Sequence, residues 1–282
     1  MNGDLHTHST FSDGSTPIEQ LPRLAARAGL GWLAVSDHDT LRSAEHAYAH
    51  PEQAGVRLIP AVELSARDTV RGRRAHILCY WPDTACPPLR GYCDHMAAER
   101  VEAGRRNAAD LAREEPRFDP AWAEPLWQAS GIPFKAHLMA AMCEAGLADG
   151  IYGARYKELF GKNGPIHNSC RYESVEGVLA LIRAAGGVAV LAHPSVYNSM
   201  ELAAELAAAG KIDGVEIDHP RNTPEDRAQL HRLAEKYGLL VTGGTDFHGR
   251  YAGTLRPMGS GTTSEDTIRR IEALARSRKE QK

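Results

Sequence analysis

Apolar runs of strand length recur along this chain, most of them separated by helix-like segments, and this alternation limits the fold more than any other feature. Residues 3–6 read as a short strand and 17–28 as a helix. Pro17 suits the first turn of that helix and Gly29 suits its end. Strands at 32–36, 57–64 and 75–81 follow, with a helix at 43–54 after the first of them. Later, helices near 174–185, 200–209 and 224–237 alternate with strands at 188–192, 214–217 and 239–242. A last helix begins after Ser264, with Glu265 and Asp266 in the first turn, where the dipole favours negative charge. Helical crossovers imply a parallel sheet, and about seven strands in succession point to an α/β barrel, with an open doubly wound sheet as the rival.

One connection departs from the pattern. Between Ala66 and Arg74 there is too little chain for a parallel crossover, which needs about a dozen residues. The strand carrying His76 is therefore expected to run antiparallel to the one carrying Glu63, starting at the barrel end where Glu63 lies. The middle third fits no barrel unit. It is helical and Ala-rich, with breaks at Pro116, Pro120, Pro125 and Pro133. The expected organisation is a barrel built from residues 1–94 and 165–282, with an inserted helical subdomain at 95–164 covering its mouth.

The chemistry is written at the strand ends. The first ends in Asp4-Leu5-His6-Thr7-His8 and the second in Asp37-His38-Asp39. The third ends near Glu63, and the fourth opens near His76. His193-Pro194, Asp218-His219 and Asp246-Phe247-His248 close the remaining three. In a barrel that rim is where function sits. His-x-His on an extended segment places both imidazoles on one face. Imidazole together with carboxylate suits Zn, Mn or Fe, and clustered divalent ions serve the in-line displacement of phosphate esters. The chain has no Gly-rich phosphate loop or GxSxG elbow, which argues against covalent serine chemistry.

Composition narrows the partners. A net charge of −3 gives no field to recruit long nucleic acid or a membrane surface. The five Cys show no CxxC spacing and read as free thiols in a reducing cytoplasm. No signal-peptide pattern and no apolar run of about twenty residues occurs, so a soluble cytoplasmic enzyme is expected.

The run Asp4-Leu-His-Thr-His-Ser-Thr-Phe-Ser-Asp13 and the later Ser36-Asp-His-Asp-Thr40 resemble the PHP (polymerase and histidinol phosphatase) superfamily. Glu63, the His76 segment, Ala192-His-Pro194 and Thr245-Asp-Phe-His248 complete its motif set in order. The insert and the segment Phe160-Gly-Lys-Asn-Gly-Pro165 are similar to a stand-alone subfamily containing nucleoside 3′,5′-bisphosphate phosphatases and exonucleases on short RNA.

The resemblance implies a distorted (β/α)7 barrel and two or three divalent ions. Mn²⁺ is the expected metal, with Zn²⁺ or Fe²⁺ as alternatives. It implies that His6, His8, Glu63 and Asp246 hold one ion, that Glu63 bridges to a second held by His76 and His193, and that Asp13, His38 and His248 hold a third. Glu63, His193 and Asp246 are the expected catalytic residues. A metal-bridged hydroxide would attack phosphorus, and His193 or a neighbouring acid would protonate the leaving alkoxide. Asp37 and Asp39 either orient ligands or cap the following helix.

Lys135, His137, Lys162, Arg171, His219 and Arg221 are the candidates for gripping substrate, whereas His46, His50, His95, His167 and His231 read as surface residues. The expected reaction releases the 3′-phosphate of a nucleoside 3′,5′-bisphosphate. A 5′–3′ exonuclease on short oligoribonucleotides, a histidinol phosphate phosphatase and a non-catalytic metal-bound module are the alternatives. A small nucleotide or short RNA is the expected partner, with monomer and small homo-oligomer both open.

Overall fold

The computed structural model describes residues 1–281. The chain opens with β1 (Gly3–Thr7), α1 (Leu21–Arg27), β2 (Trp32–Val35) and α2 (Arg42–Ala49). A two-residue β3 (Glu52–Gln53) precedes the long β4 (Val56–Asp68) and β5 (Arg73–Tyr80). Four helices then run without an intervening strand: α3 (Pro87–Glu114), α4 (Glu124–Trp127), α5 (Lys135–Glu144) and α6 (Ala154–Phe160). The final third alternates α7 (Val175–Ala184), β6 (Val188–Leu191), α8 (Met200–Ala208), β7 (Gly214–Asp218), α9 (Pro224–Tyr237) and β8 (Leu240–Gly243), and α10 (Glu265–Glu280) ends it.

Local chemistry sets the helix boundaries. The side chains of Ser174, Thr223 and Ser264 each accept from a backbone N–H in the first turn of α7, α9 and α10. Pro224 fills the first position of α9, and Gly238, at φ 66°, ends it in the left-handed conformation.

Seven strands pair in the order β1-β2-β4-β5-β6-β7-β8, with β3 hung on β4. The ends meet through backbone bonds from His8 N to Phe247 O and from Asp246 N to His6 O, each 2.8 Å, so the sheet is a nearly closed barrel. The pairings β1-β2, β2-β4, β6-β7 and β7-β8 are parallel. As the short connection requires, β5 runs antiparallel to β4, and it is antiparallel to β6 as well.

Alternation along the strands separates two apolar layers. Leu5, Ala34, Ile59, Ala61, Leu78, Tyr80, Val188, Val190 and Leu240 form one cluster with Ile268 and Ile271 of α10. Val62, Leu64, Ala75, Ile77 and Cys79 face the other way, into the cluster made with α7, α8 and the start of α3. Glu63 continues the face of Ile59 and Ala61, and His76 that of Leu78 and Tyr80. The strands thus bury hydrocarbon at one level and present titratable groups at the next.

The helix α3 is continuous across residue 95. Its Leu89, Tyr92, Cys93 and Met96 pack in the barrel's outer cluster. Its Ala108 and Leu111 pack with Leu138, Met139, Met142, Leu159 and Phe160 in a separate helical cluster. All five cysteines are free, and among the described residues no helix is long and apolar enough to cross a membrane.

Closure of the barrel leaves no room at Gly244, where an added Cβ would lie 2.4 Å from the His6 Cβ and 2.5 Å from its backbone nitrogen. Gly244→Ala is expected to cost about 1–3 kcal/mol, as overpacking does. Denaturant unfolding should show a lowered midpoint, and an unchanged midpoint would mean that β1 and β8 are not in contact.

Candidate metal centre

At the end of the barrel where β4 and β5 form their hairpin, Glu63 is sealed from solvent and surrounded by five imidazoles. Its Oε2 lies 3.2 Å from His6 Nε2, 3.3 Å from His8 Nε2 and 3.1 Å from His38 Nδ1. Its Oε1 lies 2.8 Å from His76 Nδ1 and 3.0 Å from His193 Nε2. Asp246 is the second hub. Its Oδ1 is 3.3 Å from His8 Nε2 and 3.4 Å from His248 Nδ1, and its Oδ2 is 3.5 Å from His219 Nε2. Asp13 completes the far side, with Oδ1 3.3 Å from His248 Nε2 and 3.9 Å from His38 Nε2.

These side chains arrive from β1, β4 and β5, from loops after β1, β2 and β8, and from the turns after β6 and β7. That turn and the one after β8 are conformationally costly: His193 has φ 26° and Asp246 φ 52°, and Asp39 beside His38 has φ 51°. Non-glycine residues in this region cluster where function over-determines the backbone.

Electrostatics follow from proximity inside a desolvated space. Burial alone would raise Glu63, but His6, His76, His38 and His193 hold it well below the usual carboxylate range. Burial likewise opposes a charge on His6 and His8, yet the carboxylates prevail. Glu216 and Glu63 lift His6 well above the ordinary imidazole value, and Asp246 and Glu63 lift His8 to about 10. Burial dominates at His38 and His76, which are pushed down.

A test of fit for metal comes from the atoms left over. Eight buried atoms of this cluster lack a hydrogen-bond partner: His6 Nε2, both ring nitrogens of His8, Asp13 Oδ1, His38 Nδ1, Glu63 Oε2, His193 Nδ1 and His219 Nε2. Buried polar atoms are nearly always paired. Among the described residues, four ligand groupings bring one atom per residue within 4.8 Å of the others: His8-Asp13-His38-His248, His6-Glu63-His193, His6-His8-Asp246 and His38-Glu63-His76. Nitrogen and oxygen donors in this mixture suit first-row divalent ions, so residues and group fit.

All nine residues expected as ligands converge here. Asp37 and Asp39 do not cap α2, which has no side-chain cap. Asp37 instead accepts from Ser9 N at 2.8 Å, from Ser9 Oγ at 2.6 Å, and from the hydroxyls of Ser12 and Ser43, anchoring the loop that carries Asp13. Asp39 accepts from Ser65 N at 2.7 Å and from Arg100 Nε at 3.0 Å.

The expected substrate contacts divide. His219 is buried in the cluster, its ring 5.2 Å from that of His193. Lys135 is half-buried, its Nζ 4.9 Å from the Phe160 ring centre. His137 instead turns inward: its Nδ1 accepts from Phe134 N at 3.2 Å, and burial pushes it down to about 4. Arg171 is exposed and pairs with Glu99 at 3.0 Å, and Lys162 and Arg221 are exposed. His50, His95, His167 and His231 lie on the surface as expected, with His46 half-buried.

Two groups were missed from sequence. Glu216, wholly buried in β7, accepts from His6 Nδ1 at 2.9 Å and from His193 N at 2.8 Å, a second carboxylate that orients the imidazole. A Glu between the apolar Val215 and Ile217 was the available signal. Arg256 donates to Asp246 Oδ2 at 2.6 Å from a loop with no patterned sequence.

Barrel, rim cluster and unpartnered donors together define a metal-dependent phosphoesterase. The family model for the PHP domain matches residues 4–122. A phosphoribosyl 1,2-cyclic phosphate 1,2-diphosphodiesterase from Eggerthella lenta is 34% identical over 89% of this chain and 95% of its own. A 3′,5′-nucleoside bisphosphate phosphatase from Chromobacterium violaceum is 32% identical, covering 88% and 87%. A 5′-3′ exoribonuclease from Salmonella typhimurium is 31% identical, covering 87% and 84%. A crystal structure of a candidate metal-dependent phosphoesterase from Bifidobacterium adolescentis superposes with TM-score 0.87 at 27% identity, covering 96% of both chains. The chain belongs to the PHP family.

An ion binding only the folded chain at 100 times its dissociation constant adds about 2.7 kcal/mol. Mn²⁺ is therefore expected to raise the melting temperature reversibly, with loss on chelation. Glu216→Gln should weaken that affinity about 10- to 100-fold. A melting temperature indifferent to every divalent ion would show that the cluster is not an ion site.

Proposed function

We propose that the chain hydrolyses a phosphate ester on the ribose of a small nucleotide, releasing the 3′-phosphate of a nucleoside 3′,5′-bisphosphate to leave the nucleoside 5′-monophosphate. The carrying observation is the Glu63 cluster, in which buried donors without partners stand close enough together for neighbouring ions. His6, His8, Glu63 and Asp246 would hold one ion, Glu63 with His76 and His193 a second, and Asp13, His38 and His248 a third. Mn²⁺ is the proposed metal. Such ions lower the pKa of water and neutralise charge on a transferring phosphoryl group.

The protein's own residues do the rest. Glu216 and Asp37 hold the imidazoles and the Asp13 loop in place, so little reorganisation accompanies charge development. His193 or a neighbouring acid would protonate the leaving oxygen. The helical segment 95–164 would cover the mouth and limit substrate size, a reading supported by the Phe134 ring lying 6.4 Å from that of His38.

The bisphosphatase relative supports this substrate. A second reading, hydrolysis of a ribose cyclic phosphate, is favoured by the higher identity and nearly full-length coverage of the Eggerthella lenta relative. Trimming of short RNA is supported by the exoribonuclease relative.

Mn²⁺-loaded protein should release phosphate from adenosine 3′,5′-bisphosphate faster than from histidinol phosphate, and chelation should abolish the activity. Glu63→Gln should lower kcat/KM by at least about 10²–10³. Faster turnover of a ribose 1,2-cyclic phosphate or of a dinucleotide would replace the proposed substrate with that one. Failure to cleave any of these esters would overturn the reading.

A further inference from the structure

The two oxygens of Asp246 face different company. Oδ1 lies 3.3 Å from His8 Nε2, 3.4 Å from His248 Nδ1 and 3.7 Å from His6 Nε2. Oδ2 instead accepts from Arg256 Nη1 at 2.6 Å, with His219 Nε2 3.5 Å away. The same arginine nitrogen lies 3.4 Å from the Asp246 carbonyl oxygen. One donor thus holds both the side chain and the backbone of a residue whose φ of 52° is costly for a non-glycine. With the arginine side chain 12% exposed and the aspartate 14%, solvent and salt screen the pair little.

Arg256 is put in place by its own loop, between β8 and α10. Gly259 N donates to Asp4 Oδ2 at 3.1 Å, and Met258 is buried in the cluster of Leu21, Leu30 and Leu33. Asp4 also accepts from Thr245 N at 3.0 Å and from the Thr245 hydroxyl at 2.6 Å. A single buried carboxylate therefore fixes the residue before Asp246 and the residue three beyond Arg256. The Arg256 Nε is buried without a partner, so among the described residues the bonds to Asp246 are what order the guanidinium.

By charge alone, a cation fixed beside a cluster of metal ligands opposes every incoming ion equally. Orientation acts differently on different ions. A carboxylate with both oxygens free can chelate, which suits Ca²⁺, an ion that gathers about six to eight oxygen ligands. A carboxylate restricted to one oxygen suits ions that take fewer ligands and accept imidazole nitrogen.

We propose that Arg256 is a positioning residue that occupies Oδ2 of Asp246, leaves Oδ1 as its one donor toward the imidazoles, and so biases the cluster toward nitrogen-accepting first-row ions and against Ca²⁺. The inference rests on the cluster being an ion site, and not on which phosphate ester is cut. Without the arginine, Oδ2 is released and the cluster gains an oxygen donor.

The test uses metal-free full-length protein and no substrate. Competition titration of Mn²⁺ against Ca²⁺ should show a wild type that prefers Mn²⁺. In Arg256→Met that preference should fall at least about tenfold. Arg256→Lys, which keeps the charge and one donor nitrogen, should retain most of it. Loss of charge alone would strengthen both ions together, and a merely structural arginine would weaken both together. An unchanged ratio in Arg256→Met therefore overturns the proposal, as does a wild type that does not discriminate between the two ions.

Co²⁺ supplies a spectroscopic readout, because its visible absorbance weakens as its coordination number rises. Arg256→Met should absorb less per bound Co²⁺ than the wild type and Arg256→Lys, and identical spectra would overturn the assignment. If Arg256→Met does not fold, Arg256→Gln, shorter and uncharged, carries the same expectations. A protein that binds ions with this selectivity yet cleaves none of the esters above would sink the proposed reaction and leave the role of Arg256 standing.

Discussion

A carboxylate with no access to water, touched by five imidazoles, is the interaction on which the rest of this molecule depends. An ionised group taken out of solvent costs several kcal/mol unless its surroundings return that energy. Around Glu63 the return comes from His6, His8, His38, His76 and His193, each within 3.3 Å of one of its two oxygens. The imidazoles in turn need orientation. Glu216 supplies it to His6 through the ring and to His193 through the backbone. Further out, Asp4 accepts from the backbone and hydroxyl of Thr245, and burial raises it to about 6 despite those bonds. The left-handed backbones at His193 and Asp246 are tolerated because so many contacts converge on their side chains.

Bringing five imidazoles to one carboxylate requires the reversal in the barrel. Over Arg57–Pro60, β4 pairs parallel with β2, and over Ala61–Asp68 it pairs antiparallel with β5. Glu63 thus sits just past the parallel segment, where β2 has given way to the loop carrying His38 and only an isolated bridge joins His38 to Glu63. The reversed strand then delivers His76 from its beginning rather than its end. A parallel strand would have brought an end residue to this rim and placed His76 toward the opposite one. Beyond the hairpin, Arg71 joins Asp68 to Glu201 and Glu205 of α8, tying the extended turn to the neighbouring helix.

The sequence made the strand ends legible because alternation and crossover length are local properties. His-x-His, the run around His38 and the tight Ala66–Arg74 connection each carry their geometry within a few residues, and all converge as that geometry requires. The cations were harder to read. Arg171 and His137 looked as eligible as Lys135, since nothing local reveals that Glu99 neutralises the first or that the Phe134 N–H engages the second. Whether a charge is free depends on partners distant in sequence, such as Asp246 for Arg256.

The long helix α3 links the site to the helical segment above it. Its first half is anchored in the barrel's outer core and its second half in the helical core, so it acts as one rod through both. Arg100, between those halves, bonds to Asp39 and to the Ser65 hydroxyl while its guanidinium lies 5.1 Å from the Phe134 ring centre. Asp39 adjoins His38, Ser65 lies two residues beyond Glu63, and Phe134 faces His38. One arginine therefore registers the helical segment against the strands that carry the central carboxylate. With its charge answered and its plane held against a ring, it has little freedom to follow a substrate. Its physical contribution is to keep the helical segment and the carboxylate in one frame of reference.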